Sequence, residues 1–518
     1  MAEENGLTVD KAGFERGLAE QRERSRAAGR KGATEGIKFE AEATAWLANN
    51  SIPLTNDAFK YEEGDVTTKI VAILSSSGFV DRIAGGEDKV GLVLHSTSFY
   101  AEAGGQVGDT GVIAGPNGSF SVSDCRVAAG YILHVGEASG DFVVGEEATC
   151  KVDYARRRKI VPNHTFTHVV NHALKKVLGE HVAQKGSIVL PDRLRFDFSN
   201  NGVVDAAKLG EVEAMCRDAI GKELPIYGKE IALSEGRKIN GLRAVFGEAY
   251  PDPVRVISIG RPVEELLMDP TAESNLDYSI EFCGGTHLKN TADARAFVLI
   301  SEEGIAKGVR RVVAMTGDEA ETAISDCCEL EADMAAAEAL VGPELVATVN
   351  KLKQRVETAV ISAASKAALR GRLQAQAKKI VQMEKEESEK NKKLAVTEAV
   401  AAADEAVAGA KGHLVLRLEV GLDHNAVKEA VGAIQAKHGT LCLMVFTADE
   451  AKGKALAYGA VPDSMTSKLK AGDWVKEALA VIGGKGGGKP NAAQGQGPNL
   501  EKLPEAMEVA EKYAADRL

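Results

Sequence analysis

The spacing of hydrophobic and polar residues divides the 518-residue chain into segments with different periods. Residues 1–62 are predicted to be mainly helical, with Asp10 as the N-cap of a charged segment from Lys11 through Arg30 and a second helix around Phe39 to Leu47. Residues 63–160 contain short β-rich runs divided by Gly, Asp and Asn, which predicts a small antiparallel β-barrel. The predicted barrel strands are Thr68–Leu74, Val90–His95, Gly111–Ala114, Phe120–Val127, Tyr131–Val135 and Thr149–Val152.

Residues 161–316 alternate between helical and strand patterns, which is typical of an α+β domain. We expect helices near residues 163–179 and 203–222. The strand candidates are Gly186–Leu190, Arg195–Phe198, Val254–Ile259 and Ala296–Ile300.

Residues 317–408 are rich in Ala, Lys and Glu, with aliphatic residues at three- and four-residue steps. This pattern predicts a long helical hairpin or coiled coil, broken at Gly342–Pro343, through which two chains could form a homodimer. Residues 409–518 return to alternation and predict a small α/β domain with a glycine-rich loop. The whole pattern predicts an α+β, multidomain fold, as the length also suggests.

Charge is distributed unevenly along the chain. A net charge of −12 argues against a protein that coats nucleic acid indiscriminately, but basic clusters are local. One of them, formed by Arg156, Arg157, Arg158 and Lys159, ends five residues before His164. We expect this cluster to hold a phosphate backbone beside the site that follows it.

Features that direct or anchor a protein at membranes are missing from the sequence. The first residues have neither a basic nor an apolar signal region, and no window approaches 18 apolar residues. The seven cysteines do not form a disulfide framework, which fits a reducing compartment. We therefore expect a cytoplasmic protein without a membrane partner, and an organellar form stays open.

Two residue pairs with the same four-residue spacing indicate a metal site. His164 and His168 would project from one face of a helix, and Cys283 and His287 would complete the site from a distant segment. A thiolate beside imidazoles selects zinc over magnesium or calcium, and one Zn²⁺ per chain is expected. Thr165–Phe166 replace the glutamate of an H-E-x-x-H metalloprotease, which disfavours peptide hydrolysis.

Two other functions remain open at this point. A non-enzymatic RNA-binding or dimerising protein with a structural zinc would also need four protein ligands. A zinc-dependent phosphohydrolase or nuclease is suggested by the glycine-rich segment Gly483–Pro490, which formally contains G-x4-G-K. Pro490 lacks the hydroxyl and the backbone N–H that a phosphate loop needs, so this segment is either a flexible linker or a backbone nest.

Several long stretches carry a resemblance to a known family. They are Gln21–Ala27, Ser98–Gln106, Asn163–His168, His181–Ser187, Arg195–Phe198, Phe246–Glu248, Val254–Val256, Cys283–His287, Gly304–Arg311 and the glycine-rich residues 483–497. Across nearly its whole length the chain resembles the C-terminal half of an alanyl-tRNA synthetase. The longest free-standing trans-editing proteins of the AlaX type are also similar to it.

The resemblance implies a hydrolase that removes Ser and Gly mistakenly attached to tRNA(Ala), so mischarged tRNA(Ala) is the expected partner. It implies zinc ligation by His164, His168, Cys283 and His287. Thr167 and Gln184 match substrate-pocket positions and are our candidates for catalytic residues. The barrel motif expected beside the pocket comprises Glu102, Gly104, Gly105 and Gln106. The class II ATP-binding motifs are not in these 518 residues, so we expect no aminoacylation.

Overall fold

The computed structural model describes most of the chain, namely residues 37–86, 89–245, 248–450 and 452–518. The chain divides into two compact units, Met1–Ala336 with Leu352–Gly371, and Ala337–Lys351 with Arg372–Leu518. The helix predicted from Lys11 through Arg30 lies outside the described residues. The one predicted around Phe39 is helix α1, Ala41–Asn49. No helix in the described part of the chain is both long and apolar enough to cross a bilayer.

The first unit contains a closed β-barrel, as predicted. Its strands are β1 (Val66–Ser75), β2 (Gly78–Val80), β3 (Arg82–Ile83), β4 (Val90–Leu94), β5 (Gly111–Gly115), β6 (Asn117–Ala128), β7 (Tyr131–Val143) and β8 (Glu147–Val152). Six strands in the order β1-β4-β7-β6-β5-β8 close because β8 also pairs with β1. Alternation on β6 turns Phe120 and Val122 inward, and a bulge between Val122 and Asp124 turns Cys125 inward as well.

Helix α2, Tyr154–Leu178, follows the barrel directly. It begins where the Asp153 side chain accepts a hydrogen bond from Arg156 N at 3.0 Å, which caps the helix. The boundary predicted between residues 160 and 161 therefore falls inside α2. The basic first turns carry no apolar stripe, so the hydrophobic pattern revealed only the later part of this helix.

The rest of the α+β region forms two four-stranded sheets. Its elements in chain order are β9 (Gln184–Val189), β10 (Leu194–Ser199), α3 (Ala206–Gly221), β11 (Ile226–Ile231), α4 (Leu233–Gly236), β12 (Leu242–Arg243), β13 (Val254–Ile259), α5 (Val263–Met268), β14 (Ser279–Phe282), β15 (Phe297–Ala306) and β16 (Val309–Thr316). One sheet has the order β15-β16-β10-β9, and the other has the order β11-β13-β14-β12. Phe166 of α2 packs with Phe196 and Phe198 of β10 in the core between helix and sheet.

Three helices occupy the segment predicted as a helical hairpin. They are α6 (Gly317–Glu338), α7 (Gly342–Thr358) and α8 (Ala363–Ala408). The break at Gly342–Pro343 is confirmed because α7 starts there, where proline is tolerated in a first turn. A second break before α8 was not predicted, since neither Gly nor Pro occurs in residues 359–362. Pairing of two chains through this segment stays a prediction.

The C-terminal region of the second unit is an α/β domain with one β-sheet and several helices. Its elements are β17 (His413–Arg417), α9 (His424–Lys437), β18 (Cys442–Asp449), β19 (Lys454–Ala460), α10 (Ala471–Val481), β20 (Lys485–Gly488), β21 (Ala492–Gly497) and α11 (Leu503–Ala515). The strand order is β17-β18-β19-β21-β20, with β17 and β18 parallel.

The glycine-rich segment is a β-hairpin, so its prediction as a loop or linker was wrong. Strands β20 and β21 pair through Gly486 and Gly495. A Cβ atom at Gly486 would lie 2.5 Å from Leu479 Cδ1 of α10, and one at Gly495 would overlap the same methyl group. Glycine is required here because α10 packs closely on the hairpin, a constraint that composition alone does not reveal.

Candidate metal and substrate site

Helix α2 and the segment after β14 bring the four predicted metal ligands together. His164 and His168 lie one turn apart and are buried, and Cys283 and His287 approach them from the other side. The four ligand atoms all lie within 4.8 Å of one another. Cys283 Sγ is 3.3 Å from Nε2 of both His164 and His287. Three imidazoles and one thiol at this spacing could hold a metal ion.

Glycine at position 285 lets the two halves of the cluster approach. A Cβ atom there would overlap the imidazole ring of His164. In the Gly-Gly turn between Cys283 and His287, glycine therefore leaves room for the His164 ring as well as allowing the chain to turn.

The imidazole nitrogens that face away from the cluster contact polar side chains. His164 Nδ1 donates to Gln106 Oε1 at 2.6 Å, and Thr165 Oγ1 lies 3.3 Å from His287 Nδ1. His168 Nδ1 has no hydrogen-bond partner among the described residues, but Glu281 Oε2 lies 3.6 Å away. Such outer contacts fix which imidazole nitrogen faces a metal ion. The surroundings therefore fit a metal site as well as the ligand types do.

Glu281 belongs to a buried charge network. Its Oε1 accepts hydrogen bonds from Asn171 Nδ2 at 2.8 Å and from Arg243 Nε at 2.9 Å. Burial raises the pKa of the Glu281 carboxyl, although the Arg243 guanidinium opposes this shift. The sequence did not reveal this group, because its relation to His168 depends on how β14 packs against α2.

Burial also controls protonation within the cluster. It lowers the pKa of His164, His168 and His287, so the imidazoles are neutral and able to bind metal. It raises the pKa of Cys283 to about 12. A coordinated cation deprotonates a thiol directly. A bound metal ion would therefore stabilise the Cys283 thiolate, which burial alone disfavours.

One face of the cluster opens on a cavity of about 890 Å³, here called the inner cavity, which is lined by Tyr100, Gly105, Thr167, His168, Gln184 and Cys283 among others. Thr167 Oγ1 donates to Asn163 O at 2.9 Å. With its hydrogen committed, the Thr167 hydroxyl can offer only an acceptor to a ligand. Gln184, which also lines this cavity, contacts Ser187 Oγ through its Nε2 at 3.3 Å.

The barrel motif is divided among different positions. Gly104 and Gly105 line the inner cavity, and both have positive φ angles, which suits glycine. Gln106 is fully buried behind His164 instead of lining the cavity. Glu102 is exposed and is not among the described residues that form the cavity wall.

The four residues of the basic run on α2 do not form one exposed surface, so the prediction that they hold a phosphate backbone together is wrong for the buried Arg157. Arg157 is buried and donates to Asp109 Oδ2 at 3.0 Å and to Ser98 O at 2.5 Å. Arg156 donates to Gly108 O at 2.8 Å. A helix directs successive residues to different sides, and only Arg158 and Lys159 are exposed.

A second cavity of about 1060 Å³, here called the basic cleft, reaches the cluster at Thr286 and His287. Lys60, Tyr61 and Arg255 line both the inner cavity and the basic cleft. None of the three was predicted as a site residue, because their segments carry no metal or catalytic motif.

Four family models match the chain. They are tRNA synthetases class II (A) over residues 1–156, the threonyl and alanyl tRNA synthetase second additional domain over residues 254–313, the alanine–tRNA ligase domain over residues 320–383 and the DHHA1 domain over residues 410–516.

Curated relatives match almost the entire chain. The cytoplasmic alanine–tRNA ligase of Dictyostelium discoideum is 40% identical over 99% of this chain and 55% of the relative. The alanine–tRNA ligase of Candida albicans is 40% identical over 100% of this chain and 54% of the relative. The mitochondrial enzyme of Saccharomyces cerevisiae is 36% identical, with 100% and 53% covered. The chain thus spans about half the length of these relatives.

Proposed function

Because the chain belongs to the alanyl-tRNA synthetase family, whose C-terminal half its matches fit, we propose that it hydrolyses the ester of Ser-tRNA(Ala) and Gly-tRNA(Ala). The observation that carries this proposal is the cluster of His164, His168, Cys283 and His287, which opens on the inner cavity. Polar groups that converge on a cavity beside a metal-type site are typical of a catalytic centre.

We assign Zn²⁺ to the four ligands, since their N₃S donor set suits zinc and their surroundings orient the imidazoles. When bound, zinc supplies Lewis acidity to a site that must stabilise charge during ester hydrolysis.

The residues of the chain supply the selectivity. Serine differs from alanine by one hydroxyl, and Thr167 Oγ1 offers an acceptor for it inside the inner cavity. A site that is built to hydrogen-bond a hydroxyl can reject the analogue without it by as much as ~10⁴ to 10⁵. Gln184, which lines the same cavity, is the second candidate for contact with the amino acid.

A second candidate function is a tRNA-binding protein in which zinc has a structural role. The presence of four protein ligands favours it, since structural zinc sites are usually closed. The phosphohydrolase alternative loses its support, because the cluster at His164 is the only group of metal-type ligands found among the described residues.

The partners and the location follow from the family as proposals. The expected partner is mischarged tRNA(Ala), and the helical segment 317–408 is proposed to join two chains. Relatives include cytoplasmic and mitochondrial enzymes, so cytoplasmic location is proposed without excluding an organelle.

The test is whether zinc and hydrolysis depend on the same residue. The full chain, Cys283→Ala and the matched control Cys328→Ala, which changes an exposed thiol, would be compared for zinc content and for release of serine from Ser-tRNA(Ala). We expect the chain and the control to bind one zinc and to release serine, with loss after chelation and recovery on adding zinc. Zinc loss that unfolds the protein, in a chain that never releases serine, would support the structural role instead.

A further inference from the structure

Tyr61 and Arg255 form a stacked pair at the border between the inner cavity and the basic cleft. The Arg255 guanidinium carbon lies 3.9 Å from the centre of the Tyr61 ring. Both side chains are partly exposed. An aromatic ring stacked on a guanidinium, with access from a cavity, is a surface suited to planar ligands.

The pair is fixed relative to the metal-type cluster. Tyr61 OH donates to Gly284 O at 3.2 Å, and Arg255 Nη1 donates to Gly285 O at 2.8 Å. Arg157 holds the preceding backbone by donating to Lys60 O at 3.2 Å. The pair is therefore attached to the same turn that separates Cys283 from His287.

The basic cleft beyond the pair carries exposed cations interspersed with carboxylates such as Glu63 and Glu319. Arg158 contacts Glu63 at 2.9 Å, and Lys159 contacts Glu319 at 3.3 Å, both at the surface. Exposed ion pairs contribute little stability, so these side chains can exchange carboxylate partners for phosphates at small cost. Lys289, three residues from Thr286, is exposed in the same cleft.

We propose that Tyr61 and Arg255 form the platform on which the terminal base of a single-stranded RNA end stacks, while Arg158, Lys159 and Lys289 contact its phosphates. This proposal rests on the proposed function, because it defines where the RNA end lies when its ester reaches the inner cavity. Unpaired RNA is bound mainly through stacking on aromatic and arginine planes beside a basic groove. The alternative role for Tyr61 is to clamp its own segment onto the turn at Gly284.

The test measures RNA binding and needs no turnover. Fluorescein-labelled single-stranded RNA ending in adenosine would be titrated into the full zinc-loaded chain, and the same RNA with an abasic terminal residue would serve as the comparison. Tyr61→Ala should weaken binding of the first RNA by about 5- to 150-fold and leave the second unchanged. Tyr61→Phe, which keeps the ring, should bind within about twofold of the unmodified chain.

Tyr278→Ala is the matched control, because Tyr278 also faces an arginine, Arg261, but lines neither cavity. It should bind both RNAs normally. If Tyr61→Ala unfolds, Tyr61→Leu keeps bulk without an aromatic face and must show the same loss. If the Tyr61 variants bind both RNAs normally and only their stability is lower, Tyr61 clamps its own segment and the platform proposal is wrong.

The two proposals fail separately. If the chain hydrolyses Ser-tRNA(Ala) and the Tyr61 variants bind RNA normally, only the proposal of a stacking platform is rejected. If binding depends on the terminal base and on Tyr61 but the chain never hydrolyses the ester, only the proposal of hydrolysis is rejected.

Discussion

Gln106 Oε1 accepts a hydrogen bond from His164 Nδ1 at 2.6 Å, which links a loop of the β-barrel to a ligand on α2. The same oxygen accepts from Thr286 N at 3.1 Å, between Cys283 and His287 in sequence. One buried amide therefore contacts both halves of the cluster. In the proposed metal site, this barrel residue would orient ligands from both halves of the cluster.

The first prediction concerns this amide. Gln106→Leu should lower zinc affinity by about 10- to 100-fold, because His164 loses the acceptor that fixes its tautomer. The measurement is competition with a zinc chelator of known affinity. Gln354→Leu, at an exposed position on α7, is the matched control. Equal affinity in both variants would mean that Gln106 does not support the metal.

The second prediction concerns the buried ion pair between Arg157 and Asp109. Arg157→Gln should destabilise the first unit by about 3–5 kcal/mol, because Asp109 keeps a buried charge without its partner. Arg158→Gln changes the neighbouring, exposed arginine and should have little effect. Hydrogen exchange of barrel and α2 amides in the intact chain measures the difference. Similar exchange in both variants would contradict the structural role of Arg157.

The third prediction is a pH dependence that arises in the barrel. His134 is fully buried, Leu92 O lies 3.0 Å from its Nδ1, and burial lowers its pKa from 6.5 to about 4. Below pH 6.5 the unfolded chain gains a proton that the folded chain does not bind until near pH 4. The free energy of unfolding should therefore fall by about 2 kcal/mol between pH 6.5 and pH 5 from this residue.

His134→Gln should remove that part of the pH dependence, measured as the stability difference between pH 7 and pH 5. His181→Gln, at an exposed position, is the matched control and should retain the difference seen in the unmodified chain. The prediction fails if His134→Gln retains it as well.

The fourth prediction concerns selectivity. Thr167→Val should lower the preference for serine over alanine esters by about tenfold, because the acceptor for the serine hydroxyl is lost. Thr322→Val is the matched control, since Thr322 Oγ1 also donates to the carbonyl four residues earlier, at 2.9 Å, on an exposed part of α6. Single-turnover hydrolysis of both esters gives the ratio. An unchanged ratio would exclude Thr167 from recognition.

Local patterns revealed much of the fold and the ligands. The alternation of apolar residues such as Phe120 and Val122 with polar residues identified the barrel strands. The four-residue spacing alone paired His164 with His168. Residues whose roles depend on packing between distant segments were hidden. Glu281 sits two positions before Cys283, yet its contact with His168 exists only because β14 lies against α2.

Two errors have related causes. Arg157 was grouped with its basic neighbours, although the turn of α2 directs it toward Asp109 in the barrel. The glycines near Gly486 indicated a linker, although they permit close packing under Leu479. Composition records side-chain type, and neither helix phase nor packing distance can be deduced from it.

The proposed hydrolysis is best tested by comparing the rates at which the zinc-loaded chain hydrolyses Ser-tRNA(Ala) and Ala-tRNA(Ala) under single-turnover conditions. We expect rapid loss of serine, retention of alanine and no hydrolysis by Cys283→Ala. A folded, zinc-containing chain that releases neither amino acid, or releases both at one rate, would contradict it.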